Sequence, residues 1–195
     1  MRKTLLLVGG LAFAAALSSE AGAQTFGVKG GLSFPTLSDN GQLPVFKRQT
    51  RFAVGVHMVL PSDPGSMLMF QPELLYSRQG ALASNQVGET EFDLSYVRLT
   101  PNLRLTVPLG GVQPYFLGGP YAAWRASCEM APVSNCNEIS RTDWGLDLGA
   151  GIRFGGKTGF FVEGRYAFGL QDITDRDAGF NSKNRVALAL VGVSF

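Results

Sequence analysis

The chain ends with RVALALVGVSF, residues 185–195, in which apolar side chains recur at every second position. Neighbouring side chains of a strand point to opposite faces, so one face of this stretch carries five apolar residues: Ala187, Ala189, Val191, Val193 and Phe195. The other face carries small or mixed groups, namely Leu190, Gly192 and Ser194. A soluble domain seldom ends on a bare aromatic residue in a strand, because chain termini fray unless they are tied down.

This ending is typical of an outer-membrane β-barrel. Such a barrel closes its sheet by pairing the last strand with the first, and the terminal aromatic residue then lies in the girdle at the membrane interface. The hypothesis requires an export signal, an even number of alternating strands, and connections that are long and short by turns.

The N-terminus has the features of an export signal. Arg2 and Lys3 give a basic start, residues 5–17 are almost wholly apolar, and AGA at 21–23 is a small-x-small cleavage site. The apolar run is too short to span a bilayer as a helix, which disfavours the alternative of a helical membrane anchor. The sequence therefore predicts a signal peptide at 1–23 and a barrel domain at 24–195.

Charge excludes one class of partner. Removing Arg2, Lys3 and Glu20 from the 17 basic and 15 acidic residues leaves a mature net charge of +1. This balance gives no electrostatic case for a nucleic-acid partner. No other apolar segment reaches the length of a spanning helix, so the mature chain is either soluble or a barrel.

Eight extended runs are predicted from alternation and turn signals. The clearest is 142–154, where Leu146 and Leu148 face one way and Asp147 and Arg153 the other. The predicted strands are 25–34, 50–60, 67–78, 94–107, 112–126, 142–154, 159–170 and 185–195.

The connections between these strands alternate in length. Three are tight and rich in Gly and Pro: 61–66, 108–111 and 155–158. Four are long and polar: 35–49, 79–93, 127–141 and 171–184. Membrane barrels have short periplasmic turns and long outer loops. The predicted fold is therefore all-β, an eight-stranded antiparallel up-and-down transmembrane β-barrel with short periplasmic turns and four long extracellular loops.

Four prolines lie inside predicted strands: Pro72, Pro101, Pro114 and Pro120. Each removes a ladder hydrogen bond from a sheet without edges, so we expect bulges or short irregular segments there. The fourth predicted strand is also expected to change register near residues 96–99.

The polar faces of the predicted strands carry charges of both signs: Lys29, Arg51, Glu73, Arg104, Asp147, Arg153, Glu163 and Arg165. Eight strands enclose only enough room for side chains, so these charges are expected to fill the lumen as ion pairs and leave no open pore. A catalytic carboxylate site is the alternative. His57, the only histidine, is expected to face inward as a hydrogen-bonded filler.

Aromatic residues lie near both ends of the strands and predict two interfacial belts. The predicted belt residues are Phe34, Tyr76, Trp124 and Trp144 at the long-loop ends, and Phe26, Phe70, Phe154, Phe160 and Phe195 at the short-turn ends.

Cys128 and Cys136 both lie in the third long loop. The exported compartment is oxidising, so we expect a disulfide between them. Two thiols without a nearby histidine make a poor metal site. No cofactor, metal or catalytic residue is predicted.

Several segments together resemble one known family. ELLYSRQG at 73–80, YFLGGPY at 115–121, DWGL at 143–146 and RYAFGL at 165–170 are similar to strands of the outer-membrane β-barrel domain family, the PorT-like group. The resemblance implies an eight-stranded barrel in the outer membrane of a Gram-negative bacterium and implies no single activity.

The interpretation we favour is a small outer-membrane barrel with a structural or interaction role. Its expected partners are outer-membrane lipid, the barrel-assembly machinery through the C-terminal strand, and an unidentified molecule at the loops. One alternative is a soluble secreted or periplasmic lipocalin-like barrel that binds an apolar ligand. A membrane-barrel enzyme acting on lipid is the other, but no interfacial nucleophile stands out in the sequence.

Overall fold

A computed structural model of the protein describes residues 24–38, 46–48, 50–63, 65–85, 88–131, 140–156, 158–172 and 183–195. The signal peptide predicted at 1–23 lies outside these ranges. No helix in the described part of the chain has the length and apolar character needed to cross a membrane.

The described residues form nine strands. They are β1 (Thr25–Ser38), β2 (Phe46–Arg48), β3 (Arg51–Pro61), β4 (Leu68–Asn85), β5 (Gly88–Thr106), β6 (Val112–Ala131), β7 (Thr142–Gly155), β8 (Gly159–Asp172) and β9 (Lys183–Ser194). Eight correspond to the predicted strands. The short β2 was not predicted, and it lies within the first predicted loop, where it pairs with β4.

The eight long strands form a closed antiparallel barrel. Each pairs with its neighbour in the chain, and β9 pairs with β1 to close the sheet. Phe26 and Phe195 complete the closure, because each backbone N–H donates to the carbonyl oxygen of the other at 2.9 and 2.8 Å. The predicted fold class, an eight-stranded antiparallel barrel, is confirmed.

Each short turn contains one glycine with positive φ. Gly65, Gly110 and Gly155 have φ values of 83°, 70° and 106°. A side chain disfavours this left-handed region, whereas glycine enters it freely. The three tight turns between β3 and β4, β5 and β6, and β7 and β8 therefore depend on these residues.

The prediction of a long loop at residues 79–93 is wrong. Residues 79–85 and 88–93 continue β4 and β5 as a regular pair, up to the pairing of Asn85 with Gly88. β6 also extends to Ala131, which pairs with Glu91, so the third predicted loop begins later than expected. These strand extensions were predicted as loops because their sequences are polar. Strands beyond the bilayer need not present the alternating apolar residues that lipid requires.

Gaps in the ladders lie at Pro72, Pro101 and Pro120 without a shift of register, whereas Pro114 pairs with Ile152 in an unbroken ladder, so the irregularity expected at Pro114 is wrong. The β3–β4 ladder stops at His57–Glu73 and resumes at Leu60–Phe70 in the same register, which leaves out Pro72. The register shift lies elsewhere, between Ser95 and Tyr96. This is close to the register change expected near residues 96–99, and the extra residue belongs to β6.

Neighbouring residues on β7 decide which face is outside. Leu148 is 55% exposed and Asp147 is fully buried at 0%. The same alternation runs along the strand, where Trp144, Leu146 and Ile152 are exposed. The apolar face therefore points outward and the charged face points into the lumen, as a membrane barrel requires and opposite to a soluble lipocalin-like barrel.

Candidate functional site in the barrel lumen

Six charged side chains from five strands meet inside the barrel. We call this group the lumenal ion cluster: Lys29 of β1, Glu73 of β4, Arg98 of β5, Asp147 of β7, and Glu163 and Arg165 of β8. Their side chains are between 0% and 1% exposed. Inward alternation places each of them, because every second residue of a barrel strand faces the lumen.

Arg165 is the centre of the cluster. Its guanidinium donates to three carboxylates: Nε to Oε1 of Glu163 at 2.7 Å, Nη2 to Oε2 of Glu73 at 2.5 Å, and Nη1 to Oδ2 of Asp147 at 3.2 Å. The planar guanidinium carries five N–H donors in a fixed geometry, so it can join three acids where a lysine ammonium would hold them less specifically.

Lys29 joins two of the same acids from the opposite side. Its Nζ lies 2.6 Å from Oε2 of Glu73 and 3.0 Å from Oε1 of Glu163. The second oxygen of Glu163 accepts a hydrogen bond from the hydroxyl of Tyr115 at 2.9 Å. Both glutamates are therefore bridged between the same two cations.

The cluster is balanced in charge. It contains three cations and three carboxylates, with Arg98 the most distant member at 3.9 Å from Asp147. An isolated ion in such a dry interior would lose its hydration without compensation, whereas mutual pairing offsets that loss. The chemical role supported by this geometry is to fill and fix the lumen.

Two other cations of the predicted lumenal set, Arg104 and Arg153, donate to neutral groups. Arg104 donates to Oε1 of Gln71 and Oγ1 of Thr106, both at 3.0 Å, and stacks 3.7 Å from the ring centre of Tyr115. Arg153 lies at the short-turn end, where it donates to Ser194 at 2.8 Å and to the carbonyl oxygen of Gly156 at 2.6 Å.

Two further residues predicted to face inward, Arg51 and His57, lie on β3. Arg51 is half-buried at the loop end of β3, in register with Ser33. His57 is buried and packs edge-on against the ring of Phe161, with 5.3 Å between ring centres. A Cβ at Gly27 would overlap the imidazole, so the histidine occupies space that only glycine leaves open.

Sequence reasoning missed much of the inner surface of β5. Tyr96, Arg98, Thr100, Asn102 and Thr106 are all buried, together with Arg104. Their polar character at every second position was a usable signal.

An apolar layer lies on the loop side of the ion cluster. On β4, Leu75 follows Glu73 in the loop direction, and on β8, Ala167 follows Arg165 in the same direction. These residues belong to one packed group: Ala53, Leu75, Tyr96, Tyr121, Ala123, Ala167, Val186, Leu188 and Leu190. Ion pairs thus occupy the middle of the lumen, and apolar side chains pack on their loop side.

The predicted belt residues lie on the outer face. Phe70, Trp124, Trp144, Phe154, Phe160 and Phe195 are exposed, and Phe26, Phe34 and Tyr76 are half-buried. Phe154 and Phe160 are directly paired across β7 and β8 at the short-turn end. Trp124 and Trp144 lie at the opposite end of β6 and β7, close to Thr142.

A disulfide between Cys128 and Cys136 is predicted in the third long loop. Cys136 lies outside the described residues, so this pairing stays a prediction. In the described part of the chain, no group of three or more His, Cys, Asp or Glu side chains is arranged to hold a metal ion.

Comparison with known proteins gives the family. Residues 18–175 match the family described as "outer membrane protein beta-barrel domain", and the chain belongs to this family. It is therefore an outer-membrane β-barrel protein, and the soluble lipocalin-like alternative is wrong. The finer assignment to the PorT-like group stays a prediction. No curated protein matches the sequence significantly.

Solved structures share the fold at low sequence identity. OprG from Pseudomonas aeruginosa matches with a TM-score of 0.56 and 16% identity over 89% of this chain and 96% of OprG. Neisserial surface protein A gives 0.53 and 15% over 89% and 98%. Ail, the attachment invasion locus protein of Yersinia pestis, solved with the heparin analogue sucrose octasulfate, gives 0.50 and 16% over 89% and 100%.

Proposed function

We propose that this protein is a structural or interaction protein of the outer membrane, without an open pore and without enzymatic activity. Its contact region is the sheet that projects from the loop end of the barrel. The observation that carries the proposal is the unequal length of the strands: β4, β5 and β6 have 18, 19 and 20 residues, whereas β3 has 11.

The excess length stands beyond the barrel wall. The last residue of β4 that pairs with β3 is Ser77, opposite Ala53. β4 continues to Asn85, which at roughly 3.3 Å per residue extends the hairpin by about 26 Å. The part of β4 beyond Ser77 is therefore not needed to span the bilayer.

Four strands build this projecting sheet. Glu91 of β5 is in register with Leu82 of β4 and with Ala131 of β6, and β2 pairs with β4 on the other side. Such a sheet offers edges and a surface to partners outside the cell. Two proteins of similar fold are described as a surface protein and an attachment locus protein, which supports a surface role by analogy of fold alone.

The filled lumen supports the remaining parts of the proposal. Each carboxylate of the lumenal ion cluster is engaged by at least one cation, which leaves these acids poorly suited to proton transfer. Lipid contacts the exposed apolar face, and the barrel-assembly machinery recognises β9. The orientation of the faces supports the first of these partners, and the closing strand supports the second.

The test removes the projecting hairpin and keeps the barrel. Residues 81–92 are replaced by Asn-Gly, a two-residue turn that suits a hairpin between Gly80 and Asp93. Heat-modifiable migration on a gel verifies that the variant folds. Crosslinking on intact cells should then lose the adducts that the full-length protein forms through 81–92. Adducts that map only to other segments and persist in the variant would contradict the proposal.

A further inference from the structure

Three prolines lie side by side across three neighbouring strands. Pro72 of β4 is in register with Pro101 of β5. On the other side of β5, the pairs Leu99–Ala122 and Leu103–Gly118 share one register, which places Pro101 opposite Pro120 of β6. Pro101 and Pro120 are both exposed on the lipid-facing side.

The two facing prolines weaken one seam of the wall. Pairing between β5 and β6 stops after Leu99 and resumes at Leu103. Proline has no N–H, so neither Pro101 nor Pro120 can donate to the carbonyl oxygen of the other. The β4–β5 and β6–β7 ladders run through this level without interruption. Pro72 adjoins a separate gap between β3 and β4, so among the three ladders next to Pro101 and Pro120 the missing pairing lies between β5 and β6.

Neutral polar side chains lie directly behind this seam. Thr100 and Asn102 face the lumen and are 0% exposed, and Gln71 lies opposite Asn102 on β4. Both amide atoms of Asn102, the hydroxyl of Thr100 and Nε2 of Gln71 have no hydrogen-bond partner among the described residues. Buried polar groups are normally paired, so this group can accept and donate several further hydrogen bonds.

A stacked Arg–Tyr pair fills part of the lumen on each side of these groups. Two residues toward the loops, Arg98 stacks 4.4 Å from the ring centre of Tyr121. Two residues toward the short turn, Arg104 stacks 3.7 Å from the ring centre of Tyr115. A molecule that reaches Thr100 and Asn102 therefore has its shortest route through the wall from the bilayer.

We propose that the β5–β6 seam is a lateral access site for a single-chain amphiphile with a small uncharged polar head, such as an alcohol or an amide. The head hydrogen-bonds to Thr100 and Asn102 while the chain stays in lipid beside Leu99 and Leu103, which are exposed. An uncharged head fits because the open groups are a hydroxyl and amides that both donate and accept.

Access requires the seam to open. Gly119 faces Asn102, and a Cβ at this position would overlap the carbonyl oxygen of Pro101. The two strands are thus in close contact, and an occupant enters only when they separate. Separation is easier here than at neighbouring seams because fewer backbone hydrogen bonds are broken.

The test measures thiol access in lipid vesicles. Asn102→Cys is made in a background where Cys128 and Cys136 are changed to Ser, and N-dodecylmaleimide is compared with a charged, water-soluble maleimide. Leu190→Cys is the matched control, because Leu190 is 1% exposed in the lumen and lies in unbroken stretches of the β1–β9 and β8–β9 ladders. Thr100→Cys replaces Asn102→Cys if the latter does not fold.

The alkyl reagent should label the Asn102→Cys thiol about tenfold faster than the Leu190→Cys thiol, a ratio within the range expected from two missing net hydrogen bonds. Adding Pro101→Ala and Pro120→Ala restores two donors and should remove this difference. Membrane-dissolved 1-decanol should slow the labelling, whereas decanoate should not. The proposal would be overturned by equal labelling rates for the two thiols or by faster labelling with the water-soluble reagent. It would also be overturned if the proline changes had no effect, or if decanoate protected the thiol as well as 1-decanol does.

Discussion

Arg165 on β8 contacts Glu73 on β4 across the lumen, with 2.5 Å between Nη2 and Oε2. β4 and β8 are not neighbours in the barrel, because β3, β1 and β9 lie between them on one side. The ion pair therefore ties opposite parts of the wall together, which the backbone ladders cannot do.

Loss of one partner should destabilise the barrel strongly. Glu73→Ala leaves Lys29 and Arg165 with an excess positive charge in a dry interior, at an expected cost of about 3–5 kcal/mol in the free energy of unfolding. Glu89→Ala, in the projecting hairpin, is the control and should change it by less than about 0.5 kcal/mol. Denaturant unfolding in detergent micelles measures both, and equal effects would contradict the burial of Glu73.

Restoring the charge balance should recover part of that loss. Glu73→Gln combined with Lys29→Met leaves the lumenal ion cluster with two cations and two carboxylates. The double variant should therefore be more stable than Glu73→Gln alone, with a coupling of about 0.5–3 kcal/mol between the two sites. Additive effects in the double-mutant cycle would mean that these residues do not interact.

The filled lumen predicts little conductance. We expect the ion cluster, the apolar layer above it and the two Arg–Tyr stacks to leave no continuous aqueous path through an eight-stranded barrel. Planar-bilayer recordings should show no large, long-lived channels. Stable openings of porin size would refute the plugged interior.

A cation on the outer face should prevent insertion. Leu148→Arg places a charge against lipid, where arginine near the midplane costs about 2–4 kcal/mol. The variant should accumulate as unfolded protein in a heat-modifiability assay, whereas Leu148→Phe should insert normally. Normal insertion of both variants would show that residue 148 does not contact the bilayer.

The barrel was predictable because lipid imposes a strict alternation. β7 shows it in full, with Leu148 outside and Asp147 inside, and the number of strands followed from such patterns. The projecting hairpin was not predictable, since the residues of 79–93 have no bilayer to constrain them and read as a loop.

The sequence also could not predict which charged side chains pair with each other in the lumen. The sequence patterns around three inward-facing cations, Arg104, Arg153 and Arg165, are similar. Only the stagger of neighbouring strands in the closed barrel places Arg165 next to the carboxylates. The proline seam has the same origin. Pro101 and Pro120 are 19 positions apart in the sequence, and the register of β5 with β6 alone sets them opposite each other.

The central claim is that the apolar face contacts lipid, and thiol accessibility at position 148 tests it most directly. Leu148→Cys is made with Cys128 and Cys136 changed to Ser, and the purified protein is reconstituted in vesicles. Its thiol should react with a lipid-soluble maleimide and be protected from a charged, water-soluble one. A thiol shielded from both reagents, in a protein that stays soluble without detergent, would contradict the membrane barrel.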